Sequence, residues 1–193
     1  MTFGQITSII IIDIKPKEVI NMDKYKKFAS DRKDDIVNLL SELVAIPSVM
    51  GEAKPGYPFG EAPAKALVAM LDAAKALGFA VNNIDNCYGT ADYLPDGTDT
   101  AELAILCHLD VVPEGKGWSY EPFVCTEKDG ILYGRGVTDD KGPAVSALYA
   151  LYSVKQLGVK LSKGVRLIFG TNEENGSADI EHYLEKDKMP PMV

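Results

Sequence analysis

His108 and Asp110 stand two residues apart at the end of the apolar run Ala104-Ile105-Leu106-Cys107. Successive side chains of an extended strand alternate faces, so these two point the same way. That spacing lets a carboxylate accept the spare N–H of an imidazole whose other nitrogen holds a metal ion. Two acidic stretches follow. One is Gly134-Arg135-Gly136-Val137-Thr138-Asp139-Asp140-Lys141-Gly142-Pro143, and the other is Gly170-Thr171-Asn172-Glu173-Glu174-Asn175-Gly176. One imidazole with several carboxylates is a mixed nitrogen–oxygen donor set suited to Zn²⁺, with Mn²⁺ or Co²⁺ as alternatives. A glutamate outside the metal's own ligands would then deprotonate water whose pKa the metal lowers to about 7. Glu173 and Glu174 could divide the work, one as base and one as ligand. Each motif alone has a plainer reading: a hydrogen-bonded His–Asp pair, acids favoured by a helix dipole, and solvated loop glutamates. Spacing by itself leaves both readings open.

Each cluster follows a predicted strand. Leu103 to His108 is a continuous apolar strand of the kind buried on both faces. Phe123 to Thr126 and Ile131 to Tyr133 flank Lys128-Asp129-Gly130 as a β-hairpin, and Val165 to Phe169 is a further strand. Short strands are expected at Phe79 to Val81 and Tyr88 to Tyr93, around a turn near Asn83 to Asn86. One helical stripe runs from Met22 through Tyr25, Phe28, Arg32, Ile36, Leu39, Leu40 and Leu43, and Pro47 ends it. Pro63 opens a second helix that Gly78 closes. A third starts at Gly142-Pro143 and runs to about Leu157, with Ala144, Ala147 and Ala150 small enough to lie close to a sheet. Ser177 is placed to cap a last helix through Leu184. Strands alternating with helices indicate an α/β fold with helices covering a largely parallel or mixed sheet. In such sheets, sites form where loops leave the carboxyl ends of strands.

The 193 residues are 46% hydrophobic and 25% charged, an ordinary globular composition. A net charge of −8 argues against a nucleic-acid surface. The run Ile9 to Ile12 is far shorter than the roughly 20 apolar residues of a membrane span, and it has neither the basic flank nor the cleavage site of a signal peptide. Cys87, Cys107 and Cys125 show no zinc-ribbon spacing and read as reduced thiols of a cytoplasmic protein. Cys107 should face the core, away from His108. His182 sits in a polar helix and reads as solvated, and Trp118 reads as a loop anchor. No phosphate-binding loop, complete dinucleotide fingerprint or nucleophile elbow is present.

Together His108-Leu109-Asp110-Val111-Val112-Pro113, Gly134-Arg135-Gly136-x-x-Asp139-x-Lys141-Gly142 and Glu173-Glu174-Asn175-Gly176-Ser177 resemble the co-catalytic zinc metallopeptidases. That superfamily includes acetylornithine deacetylase, succinyl-diaminopimelate desuccinylase, carboxypeptidase G and carnosinase. The forms Asp139 to Pro143 and Gly170 to Glu174, with Trp118-Ser119-Tyr120-Glu121-Pro122-Phe123, look most like PepV-type dipeptidases. The resemblance implies a three-layer catalytic domain with a central mixed, largely parallel sheet, and a site for two zinc ions. On it, His108 would bind one zinc, Asp139 would bridge both, and Glu174 would bind the other. Asp110 would orient His108, and Glu173 would be the general base. The substrate would be a dipeptide or, in a related amidohydrolase, an N-acyl amino acid.

The family also has a further acidic ligand, a histidine ligand near the C-terminus and a separate lid domain, none with a counterpart in this chain. Residues 22–193 are therefore expected to be the N-terminal part of the catalytic domain, with little or no turnover alone. A non-catalytic fragment that folds with a partner is the alternative. Residues 1–21 read as a leader, since Lys17-Glu18-Val19 can be encoded by a ribosome-binding sequence ahead of Met22.

Overall fold

The computed structural model describes residues 22–193. The Ile6–Ile12 strand and the leader reading of residues 1–21 lie outside the described residues.

Four strands form the main sheet, in the order β1 (Ala80–Ile84), β2 (Tyr88–Tyr93), β6 (Gly164–Gly170) and β3 (Ala101–His108). The sheet is mixed: β1 with β2 and β2 with β6 run antiparallel, and β3 with β6 runs parallel. Asp85 and Asn86, both at positive φ, make the tight turn between β1 and β2. A separate hairpin joins β4 (Thr126–Lys128) to β5 (Ile131–Tyr133) across Asp129-Gly130. Its first strand begins where the expected one ended.

Helices α2 (Lys33–Val44), α3 (Glu61–Ala76) and α4 (Lys141–Gln156) enclose the larger core. Their buried stripes are those the helical periodicity selects: Leu39, Leu40 and Leu43 on α2, Leu67, Met70 and Leu71 on α3, and Ala144, Val145 and Leu148 on α4. They meet Ala91, Cys107, Leu167 and Phe169 of the sheet in one cluster. Truncating fully buried Leu148 to alanine should cost about 2–5 kcal/mol, read as a lower midpoint of urea unfolding. The opposite face carries α5 (Ala178–Lys186), whose Tyr183 packs with Tyr88 and Ile168. There Arg166 reaches Asp92 on the neighbouring strand with two 2.8 Å bonds and Tyr183 Oη at 3.1 Å.

Three expectations are corrected. The first helical stripe is two helices, α1 (Met22–Asp31) and α2, because Arg32 leaves helical geometry. No residue of α1 is buried, and it meets the core at its margin, where Phe28 packs edge-on against Tyr152 of α4. Second, β3 is an edge strand and is not buried on both faces; Leu106 is 41% exposed. Third, Ser177 precedes α5 but caps nothing with its side chain, since it sits in the left-handed region at φ 59°. Asn172 Oδ1 instead accepts the amide of Ala178. Among the described residues, no helix is long and apolar enough to cross a membrane.

Candidate metal centre

Parallel pairing sets the geometry. In the β3–β6 register His108 lies opposite Gly170, so both strands deliver their next residues to the same edge of the sheet. The third acidic loop arrives differently. Asp139 and Asp140 leave the β4–β5 hairpin, outside the main sheet, and immediately precede α4.

His108 is buried at this meeting point. Its Nδ1 lies 3.1 Å from the backbone oxygen of Asp110 and 3.4 Å from that residue's Oδ1. Both neighbours accept hydrogen bonds, so Nδ1 carries the proton in the neutral ring and Nε2 presents its lone pair. The peptide oxygen therefore shares the orienting role expected of the carboxylate alone. Nε2 faces Asp139 Oδ1 at 3.0 Å, and Glu173 Oε2 lies 3.8 Å from it. One donor atom each from His108, Asp139 and Glu174 falls within 4.8 Å of the others. With metal–ligand bonds of about 2.0–2.2 Å, these separations suit donors to one ion or to two neighbouring ions that share Asp139.

Asp110 is fully buried and does more than face the imidazole. Its Oδ1 accepts the amide of Glu173 and its Oδ2 that of Glu174, each at 3.1 Å. One carboxylate thus fixes both glutamates where the short 3₁₀ turn Glu173–Asn175 begins. Asp140 Oδ2 accepts the backbone amide of His108 at 3.1 Å, joining the second acidic loop to the first.

Sequence reading missed Asp179. Fully buried in the first turn of α5, it accepts the amides of Thr171, Asn172 and Ile180, and so shapes the loop that carries Glu173 and Glu174. A Cβ on Gly170 would collide with its carboxylate. The available signal was the small residue opposite an acid in the first helical turn. Lys141, fully buried, and Ser48 were likewise not singled out for their own contacts.

Electrostatics follow from this crowding. Burial disfavours the charged form of His108, but the hydrogen bond and charge of Asp110, with Asp140 and Asp139, outweigh it and hold the imidazole up at about 9. Burial raises the Glu174 carboxyl, and Asp139 adds to it. Burial also pushes the Cys107 thiol up to about 12, with Asp140 contributing, so this thiol is inert packing in the core as expected. His182 is not simply solvated, since Nε2 meets Asp85 Oδ2 at 2.9 Å. Trp118 is the expected anchor: its indole donates to Glu114 O and Arg135 stacks on its ring. A cleft of about 510 Å³, lined by Lys54, Phe59, Asp85 and His182, includes none of the three donor residues.

The raised His108 gives a pH prediction. Without metal the folded ring keeps its proton up to about 9, so a metal must displace it. Apparent affinity should rise about tenfold per pH unit up to that value and then level off. The linked stability has the opposite trend: its contribution is full below the ordinary value of 6.5 and is lost as pH rises through about 9. Calorimetric metal titrations from pH 6 to 10 check the first and urea unfolding over the same range checks the second; a flat affinity would contradict the assignment.

A family model described as Peptidase family M20/M25/M40 matches residues 104–192. The chain is 41% identical over 163 residues to "Putative dipeptidase YtjP" of Bacillus subtilis, covering 83% of this chain and 35% of that protein. It is 37% identical over 172 residues to the Beta-Ala-Xaa dipeptidase of Lactobacillus delbrueckii subsp. lactis, covering 88% and 36%. The chain thus spans about a third of the length of these relatives. Among solved structures, human carnosine dipeptidase 1 superposes with a TM-score of 0.71 at 28% identity, covering 86% of this chain and 38% of that one.

Proposed function

We propose, from the match of residues 104–192 to peptidase family M20/M25/M40, that this chain is part of a zinc-dependent dipeptidase of the cytoplasm. The observation that carries this reading is the convergence of His108, Asp139 and Glu174 on one point. Residues 22–193 are assigned to the catalytic domain. Support for a dipeptide substrate comes from relatives named as dipeptidases. Cys87, Cys107 and Cys125 are all unpaired, which favours a reducing compartment.

In this proposal His108 would hold one zinc through Nε2, Asp139 would be shared by both ions, and Glu174 would hold the other. Zinc supplies Lewis-acid polarisation of the scissile carbonyl when bound. Asp110 keeps the imidazole in the tautomer that leaves Nε2 free, and pins the amides of both glutamates. Glu173, more than half exposed beside the donor cluster, accepts the proton of the attacking water and returns it to the leaving amine. Mn²⁺ or Co²⁺ would suit the same donors.

The test is hydrolysis of a β-alanyl dipeptide by the protein that carries this chain, measured beside an N-acyl amino acid. Turnover of the dipeptide should vanish with a chelator and return with Zn²⁺. Preference for the acylated amino acid would move the protein to the related deacylases, and chelator-resistant turnover would contradict the metal reading.

A further inference from the structure

Lys141 lies at the start of α4, two residues past Asp139, and its side chain is fully buried. A buried lysine ordinarily needs a charged partner. This one has the charge of Asp110 nearby but points its Nζ at backbone, donating to Leu43 O at 2.8 Å and Ile46 O at 2.7 Å. Leu43 O lies in the last turn of α2 and Ile46 O just beyond it; each already accepts one amide, from Ile46 at 3.1 Å and from Ser48 at 2.8 Å, and the lysine takes the second acceptor position at this helix end. Room for the stem is made by Gly136, at φ 86°, where a Cβ would meet Lys141 Cδ at 2.9 Å. Two residues beyond Ile46, the hydroxyl of Ser48 donates to Leu109 O at 2.6 Å, and Ser48 O accepts the amide of Val111 at 3.1 Å. The segment 43–48 is therefore bonded to the Asp139–Asp140 loop through Lys141 and to the segment bearing Asp110 through Ser48.

We propose that Lys141 is a positioning residue whose Nζ, fastened to Leu43 O and Ile46 O, sets Asp139 opposite His108 for metal binding. This rests on the reading that His108, Asp139 and Glu174 hold the metal. Volume alone does not explain the lysine, because methionine would fill the space yet take away one of the two hydrogen bonds that each carbonyl accepts, Leu43 O keeping only the amide of Ile46 and Ile46 O only that of Ser48. The second tie, at Ser48, holds the other side of the same pair.

The test compares the wild-type chain with Lys141→Met, Lys141→Arg and Ser48→Ala by amide hydrogen exchange without metal and by Co²⁺ titration followed in visible absorbance. In Lys141→Met, exchange at Ala144 and across 136–142 should quicken at least tenfold and Co²⁺ affinity should fall at least tenfold. Amides of β2 and β6 should keep their protection, and Lys141→Arg should recover part of both losses. Ser48→Ala should loosen 109–111 and leave 139–142 as it was. Unchanged exchange at 136–142 in Lys141→Met, or Co²⁺ affinity within twofold of wild type, would overturn the proposal. Should Lys141→Met lose protection throughout the sheet, Lys141→Gln is read by the same criteria, and equal loss there would make the lysine a general core residue. If the wild-type chain takes up no Co²⁺, the metal reading itself fails, while the exchange comparison still decides whether Lys141 positions Asp139.

Discussion

Replacing Asp110 with alanine should destabilise the chain by about 3–5 kcal/mol and weaken metal binding by about 10–100-fold. The expected size follows from what would be left behind. Asp110 is fully buried, and its two oxygens accept the amides of Glu173 and Glu174. Without them, two donors beside the site would lose their partners, at about 1–3 kcal/mol each where water cannot replace the bond. The imidazole would keep one acceptor on Nδ1, the backbone oxygen of residue 110, so His108 should turn less freely than a ring with no acceptor. Asp110→Asn should fall between, since its amide oxygen can still accept while its NH₂ group faces a donor. Urea unfolding and metal titration of both variants check this. A loss under about 1 kcal/mol with unchanged metal affinity would reduce Asp110 to packing.

Glu173→Gln should slow dipeptide hydrolysis by about 10²–10⁴-fold in the protein that carries this chain, the range for loss of a general base, and leave metal affinity nearly unaltered. Glu174→Gln should do the reverse first, weakening the metal before any effect on rate at saturating metal is seen. The two residues are neighbours, yet their surroundings differ. Glu174 contributes a donor atom to the cluster with His108 and Asp139, and its carboxyl is raised by burial and by Asp139, a penalty a cation would relieve. Glu173 sits 3.8 Å from His108 Nε2 with its side chain more than half exposed, where water can reach it. If Glu173→Gln weakened the metal and Glu174→Gln did not, the roles would have to be exchanged.

Much of this site was legible because its motifs sit where elements end. His108 closes an apolar strand, Glu173 follows the glycine that ends β6, and Asp139 precedes a helix whose small residues are spaced for packing. Alternation along β3 correctly separated Cys107 from His108. The residues that hold these motifs in place were harder to read, because their bonds run to backbone atoms distant in sequence. Lys141 reaches carbonyls more than 90 residues away, and no side-chain pattern announces a backbone acceptor. Asp179 went unread, and Ser177 looked like the cap of its helix. The loop's left-handed residue moved Ser177 out of reach and left the capping to Asn172 and Asp179. Local pattern misled at Arg32 as well: the apolar stripe continues through it, but only the second half is buried in the core. Edge placement of β3 depends on which strands pair, and apolar content alone gave no sign of it.

The central claim is that His108, Asp139 and Glu174 form a metal centre in which Asp139 is shared. Calorimetric titration of Zn²⁺ into the wild-type chain and His108→Ala at pH 8, repeated after chelation, tests it most directly. The expected result is chelator-reversible uptake by the wild type, with the release of about one proton from His108, and loss of that uptake in the variant. No uptake by the wild type, or equal uptake by His108→Ala, would contradict it.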